Sequence, residues 1–510
     1  MSALPQGDFI IYALLSIPLA GILACWLPLT ARACLRINAA VALCESAVVV
    51  AAFATRPLTH RIFAFDKILF LDTLSLYHIG LVTLVFLASS FYSLTFFGDG
   101  IAKGTFTAQR ARRFAMIWNG FFAALIGVLC ANNLGLLWIC LETTTLVSAL
   151  LIMTDGQRAS IEAMWKYLLL CSVGIAFAFV GTLLLSVAAR SASFAPQDSL
   201  LWTALYERAG LLDGRIMCAA FIFILVGFGT KAGLAPMHTW LPDAHSQAPT
   251  PVSAVFSGVM LSCALYCIMR YLPLTEAAMG LTGKAHVMLI VFGLFSILVA
   301  AVFIPAQKNI KRFLAYSSVE HIGIIALGLG LGGLGTFAAL FHTFNHSVSK
   351  MLAFFSAGRL AHRFGTYDMT SIKGGIKADP LWGTAFLTAI LALVGVAPFS
   401  IFMSEFQLVK ASVDYGKFVT LGIFLFGAIV VFVSALRHVI GVSFGAAESP
   451  SRAQSASVTV RDAAIVAGCA GLMLCCGLFV PRWYVAILTN ASNIIEGAGH
   501  VWDATGGNFR

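Results

Sequence analysis

The chain has 510 residues, 60% of them hydrophobic and 11% charged, with a formal net charge of +10. Soluble domains run at about 45–50% apolar and about 25% charged, so this composition excludes a soluble protein with a large core. Lys and Arg sit in short loops rather than on one face with interleaved aromatics, which excludes a nucleic-acid surface and fits the loop charges of a membrane protein.

Apolar stretches, each long enough to cross a hydrocarbon slab of roughly 30 Å, recur along the chain. They predict spans at 8–28, 34–54, 72–97, 114–131, 133–153, 160–188, 214–244, 250–272, 285–305, 310–331, 333–361, 380–412, 416–446 and 461–483. The first lacks a basic leader region and reads as a spanning helix, not a cleaved signal. Segment 55–71 reads as a loop with extended structure, 189–213 as the longest polar connection, and 484–510 as a small tail. Fourteen spans put both termini on one side. The loops after odd-numbered spans carry the larger share of Lys and Arg, chiefly Lys103, Arg110, Arg112, Arg113, Lys308, Lys311, Arg312, Arg359, Arg363, Lys373 and Lys377. That bias predicts cytoplasmic odd loops and both termini on the outer, periplasmic side.

Two spans are interrupted. The seventh contains Gly227, Gly229, Lys231, Gly233 and Pro236; the twelfth contains Gly395, Pro398 and Glu405. Proline frees a backbone carbonyl, and such backbone survives at bilayer depth only where protein or water satisfies it. Two interrupted spans five positions apart suggest repeated five-helix units, as in inverted-repeat transporters. The expected organisation is N-terminal helices over 1–113, a first unit over 114–272, a second over 285–446, and a last helix with tail over 461–510.

Ionisable side chains inside these spans are the candidate working parts, because each costs roughly 2.5–3.5 kcal/mol at mid-bilayer. Glu142 follows an apolar run and precedes three threonines; Lys231, at the first break, is its natural partner. Lys166 either lies within the membrane or snorkels to its interface. Glu320 and His321 are adjacent in one span. His342, His346 and Lys350 recur every four residues, so they form one helical stripe about 12 Å long, a proton wire in outline. Two histidines at that spacing can also hold zinc, but no carboxylate or cysteine is near in sequence, and no metal site is expected. Glu405 stands alone after the second break. His238, Asp243 and His245 read as interfacial. The twelve cysteines are scattered and read as buried thiols, and no motif predicts a cofactor in this chain.

The segment KAGLAPMHTWLPDAHSQAPTPVSA (231–254) resembles the antiporter-like subunits of respiratory complex I, multi-subunit cation/proton antiporters and membrane-bound hydrogenases. NNLGLLWICLE (132–142), IKRFLAYSS (310–318) and FHTFNHSVSKMLAFFSAG (341–358) match the same family in the same order. LETTTLVSALLI (141–152) and SSVEHIG (317–323) are similar to its hydrogenase-4 component F branch. The resemblance implies an all-α polytopic fold of about fourteen transmembrane helices, with two inverted five-helix repeats and discontinuous helices seven and twelve. It implies that Glu142 and Lys231 form a carboxylate–lysine couple, and that Lys350 and Glu405 carry charge onward. Many relatives have histidine where this chain has Ser257, so a serine stands at the expected link between the halves.

The reading is therefore a proton-translocating subunit of a membrane-bound nickel–iron hydrogenase complex in a bacterial inner membrane. Its implied partners are other integral membrane subunits and a cytoplasm-facing peripheral arm carrying nickel–iron and iron–sulfur centres. The alternatives are a Na+/H+ antiporter or inorganic-carbon transporter subunit, and a membrane anchor that does not pump.

Overall fold

The computed structural model of the protein describes residues 8–55, 61–445 and 458–497. Helices α1 (Asp8–Trp26), α2 (Ala31–Thr55) and α3 (Thr73–Phe96) come first. Between α2 and α3 lies a hairpin of β1 (Ile62–Ala64) and β2 (Leu69–Leu71), antiparallel with Phe63 opposite Phe70. The chain continues through α4 (Ala108–Cys130), α5 (Leu134–Ile152) and α6 (Arg158–Ser191) to α7 (Gly214–Ala232). It then runs through α8 (Trp240–Gln247), α9 (Thr250–Ala278), α10 (Lys284–Phe303), α11 (Ile310–Leu331) and α12 (Leu334–Phe364). Last come α13 (Pro380–Leu393), α14 (Ser400–Asp414), α15 (Phe418–Phe444), α16 (Val460–Leu478) and α17 (Arg482–Glu496).

Twelve helices among the described residues are long and apolar enough to span a bilayer. The remaining two of the fourteen expected spans fail that test for visible reasons. α12 is 31 residues long but carries His342, His346, Lys350 and Arg359. The twelfth expected span is divided into α13 and α14. Burial separates centre from rim: the best apolar window of α9 is wholly enclosed, whereas α15 exposes most of its own. α3, α9, α11 and α12 are the most buried helices and form the centre.

The sequence reading needs three corrections. Residues 484–496 are not a loose tail but most of α17, whose Tyr484, Leu488, Ala491 and Ile495 are buried against α3, α9 and α12. Its buried residues lie on one helical face rather than in a run, so a search for long apolar runs passes over it. Lys311 and Arg359, read as loop charges, are buried within α11 and α12. His245, read as interfacial, is fully enclosed.

One buried ion pair ties the hairpin, α3, α9 and the 189–213 connection together. Asp72, the N-cap of α3, accepts from Ser75 N and takes a bidentate bond from Arg270, both arms 2.7 Å long. The guanidinium lies 4.8, 4.5 and 4.8 Å from the ring centroids of Phe70, Trp202 and Tyr266. Trp202 Nε1 donates to Arg270 O at 2.7 Å. The fork geometry matches a carboxylate, and stranding either charge leaves it uncompensated. Arg270→Met should therefore cost about 3–5 kcal/mol, and the double substitution Asp72→Leu with Arg270→Met should recover much of that. The midpoint of heat-induced aggregation of the detergent-solubilised protein reads both.

Candidate functional site

The first cluster forms where α7 stops. Gly233 takes a left-handed conformation (φ 81°) and closes the helix. The Thr230 carbonyl loses its regular donor, since Leu234 N turns to Gly229 O; it takes Gly233 N at 3.2 Å and Trp240 Nε1 at 2.8 Å instead, and Ala235 N donates to Ser296 Oγ at 2.9 Å. Gly174 on α6 lets α7 approach closely, since a methyl there would meet Thr230 Cβ at 2.5 Å. Lys231 is thereby held inside the protein, fully enclosed. Its Nζ donates to Thr145 Oγ1 at 3.0 Å and to the Tyr167 hydroxyl, and lies 4.7 Å from that ring's centroid. The Tyr167 hydroxyl bonds Ser148 Oγ at 2.6 Å.

Glu142 lies on α5, one turn before Thr145, but makes no ion pair with Lys231 among the described residues. It accepts instead from Ser172 Oγ on α6 at 2.7 Å, and its Oε2 has no partner. The lysine thus meets hydroxyls first, with the carboxylate beyond them. Lys166 lies on the exposed face of α6, in ion pairs with Glu162 (2.7 Å) and Asp243 (3.4 Å). Asp243 also pairs with Arg312 at 2.5 Å. Lys166 is therefore the snorkelling lysine, one residue from Tyr167 but pointing away from the enclosed cluster.

The second cluster lies among α9, α11, α12 and the second break. Phe256–Met260 is a π-helical turn within α9, and Ser257 sits in it. Its Oγ is 2.7 Å from Ser318 Oγ on α11. Ser318 Oγ donates to Leu314 O at 3.0 Å, and the same carbonyl accepts from Lys350 Nζ at 2.7 Å. Ser257, Ser318 and Lys350 are thus joined through one backbone oxygen. Lys350, like Lys231, is fully enclosed and unpaired with any carboxylate among the described residues. Glu320 is buried on the same stretch of α11.

His342, His346 and Lys350 share the buried stripe expected of them. His321 Nδ1 lies 2.9 Å from His342 Nε2, and His342 Nδ1 lies 2.9 Å from Ser404 Oγ. The His346 ring is 5.0 Å from that of His321, and neither of its nitrogens has a partner. Glu405, one residue past Ser404, brings its carboxylate against Gly395, where φ is 70° and no side chain intervenes. His321, His342 and Glu405 offer ligand atoms within 4.8 Å of one another. The sequence could not have found that triad, because its members lie on three helices.

Between the clusters the lining turns apolar. The Tyr167 ring lies 4.9 Å from Trp240 and 6.1 Å from Phe256, and its hydroxyl reaches Met260 Sδ at 3.6 Å. His245 is the ionisable group at this gap. Its Nδ1 bonds Leu241 O at 2.9 Å, and its Nε2 has no partner. Two hydrogen-bonded halves therefore face one another across an aromatic patch. The sequence reading placed His245 at the interface, although its position nine residues past Pro236, at the first break, was a usable signal.

Removing the Tyr167 hydroxyl takes a partner from a buried ammonium, which costs roughly 1–3 kcal/mol. Tyr167→Phe should lower the thermal midpoint accordingly. In the Lys231→Met background the same change should cost much less, because the stranded charge is gone.

Residues 131–431 match the family NADH:quinone oxidoreductase/Mrp antiporter, TM. The chain is 36% identical over 342 residues to the hydrogenase-4 component F homolog of Methylacidiphilum infernorum, covering 67% of this chain and 72% of the relative. It is 30% identical over 352 residues to hydrogenase-4 component B of Escherichia coli, covering 67% of this chain but 50% of that longer protein. Its fold is similar to a chain of the membrane-bound sulfane sulfur reductase, an archaeal respiratory membrane complex, with a TM-score of 0.83 at 22% identity over 96% of this chain and 98% of that one.

Proposed function

The chain belongs to the NADH:quinone oxidoreductase/Mrp antiporter family, and on that premise we propose that it is the proton-translocating membrane subunit of a membrane-bound nickel–iron hydrogenase complex. Electron transfer would occur in partner subunits carrying the nickel–iron and iron–sulfur centres, in a peripheral arm on the cytoplasmic face of a bacterial inner membrane. The similarity to two hydrogenase-4 components supports that assignment of the complex.

One observation carries the proposal. Lys231 and Lys350 are enclosed at bilayer depth and held only by neutral groups, hydroxyls in one case and a carbonyl in the other. A lysine clamped by a carboxylate keeps its proton; one held by neutral oxygens gives it up far more readily, because burial disfavours its charge. A protein that merely anchored a partner has no reason to bear that cost twice. In the proposed cycle a charge change at Glu142 reaches Lys231 through Thr145, Tyr167 and Ser148. A proton crosses the aromatic gap by way of His245 and water to Ser257 and Ser318. Lys350, Glu320 and the His346–His321–His342 group then pass it to Glu405. Lys166, outside this line, sets the field at its entrance.

The two expected repeats, 114–272 and 285–446, belong to the same proposal. Each break pairs a left-handed glycine with a proline three residues on, Gly233 with Pro236 and Gly395 with Pro398. An acid, Asp243 or Glu405, follows each proline by the same interval. The entry helices match too: Asn133 caps α5 and Asn309 caps α11, each accepting from two backbone amides and each joined to a distant strand-like residue.

Lys231→Met should abolish proton uptake by inverted vesicles during formate- or hydrogen-driven electron transfer, with the complex still assembled on a native gel. Normal uptake in that variant would overturn the proposal. Uptake that requires Na+, with no hydrogenase copurifying, would assign the chain to Na+/H+ exchange instead. At the serine link, Ser318→Ala should slow uptake by about tenfold, the factor for one lost buried hydrogen bond of about 1.4 kcal/mol. Ser257→His should retain uptake.

A further inference from the structure

α2 carries a carboxylate that this line of residues does not use. Glu45 is fully enclosed, and neither of its oxygens has a hydrogen-bond partner. It lies outside residues 131–431, the part of the chain that the family match covers. α2 packs against α1, α3 and α4. On the α4 side Asn119 Nδ2 donates to Asn38 Oδ1 and to Ala115 O, both at 2.9 Å, while Asn38 Nδ2 and Asn119 Oδ1 remain unpartnered. Asn38 and Glu45 are two helical turns apart on the buried side of α2, about 10 Å by the helical rise. The seam between α2 and α4 thus carries Asn38 Nδ2 and Asn119 Oδ1 without partners, and Glu45, two turns along α2, adds two more such atoms.

Among the described residues no cation pairs with Glu45. Arg36, on α2 itself, is about 13 Å away along the helix, and Arg112 lies two turns before Asn119 on α4. α1 carries Asp8, Tyr12 and the buried Cys25, and α3 carries Tyr77 and His78, which bond Leu340 O and Leu74 O, with His78 Nε2 left without a partner. An ionised carboxylate here would be uncompensated, and leaving a buried charge unpaired costs several kcal/mol. The neutral acid has a proton to give and an oxygen to accept with. Both suit a seam whose amides lack partners, since a buried water needs two to four polar groups to hold it.

We infer that Glu45 is a proton-binding site of the N-terminal helices: a carboxylic acid that keeps its proton at neutral pH and exchanges it through water in the seam lined by Asn38 and Asn119. It is separate from the Lys231–Glu405 line, and it does not depend on whether the chain pumps.

The test is an infrared difference spectrum between the wild-type complex and Glu45→Gln, both in native membranes at pH 7. The expected result is loss of one carboxylic-acid C=O band, a band that shifts when the wild type is moved into D2O. Loss of an ionised-carboxylate band instead, or an acid band that does not shift, overturns the proposal. Should Glu45→Gln fail to assemble, wild-type membranes are treated with dicyclohexylcarbodiimide, which adds to protonated carboxyls in apolar surroundings. Peptide mass spectrometry should find the adduct on Glu45. An unmodified Glu45, beside a modified control carboxyl on a partner subunit, overturns the proposal as well.

Discussion

A backbone carbonyl released at bilayer depth must find a donor inside the protein, and that requirement organises the first half of this molecule. α7 ends at Gly233, and the Thr230 carbonyl, released by Leu234 N, is shared by Gly233 N and the indole of Trp240, the first residue of α8. The same bond fixes α8 across the break and sets Trp240 against Tyr167. Tyr167 in turn holds Lys231. The glycine that ends the helix, the tryptophan that satisfies it and the lysine that the break enfolds are therefore one arrangement.

The second half solves a related problem with other chemistry. Lys350 has no break beside it; its ammonium finds the Leu314 carbonyl of a neighbouring, intact helix. That carbonyl also accepts from Ser318, and Ser318 meets Ser257 in the π-helical turn of α9. A π-helical turn adds a residue to the helical circuit and often marks a functional position. Here it directs a small hydroxyl toward α11. Serine carries no charge, but a hydroxyl both donates and accepts, so the uncharged residue remains a usable link. The break between α13 and α14 serves the histidines instead, presenting Ser404 to His342 and Glu405 to the open face of Gly395.

Which residues were legible in the sequence follows from where their signals reside. Lys231, Glu142, Lys350 and Glu405 declare themselves because a charge in an apolar run is conspicuous in one dimension. The stripe of His342, His346 and Lys350 is equally plain, since a spacing of four is a property of one helix. Tyr167, Ser148, Ser318 and Ser404 give no such signal, because a hydroxyl among apolar residues is ordinary. The Asp72–Arg270 pairing is hidden because its members lie 198 positions apart, and Glu45, though a charge in an apolar run, has no break or stripe beside it to mark it. α17 was missed because its apolar residues form a face and not a run.

The sequence by itself determined the membrane class, the two broken helices and the charges that the bilayer makes costly. These are matters of composition, local period and backbone chemistry, and each is complete within a short stretch of chain. Only the tertiary structure decided what each charge meets. It put hydroxyls rather than Glu142 beside Lys231, turned Lys166 outward, enclosed His245, and closed His321, His342 and Glu405 into one group. Contacts between helices depend on which faces pack together, and that choice is made by the whole fold, not by any one segment.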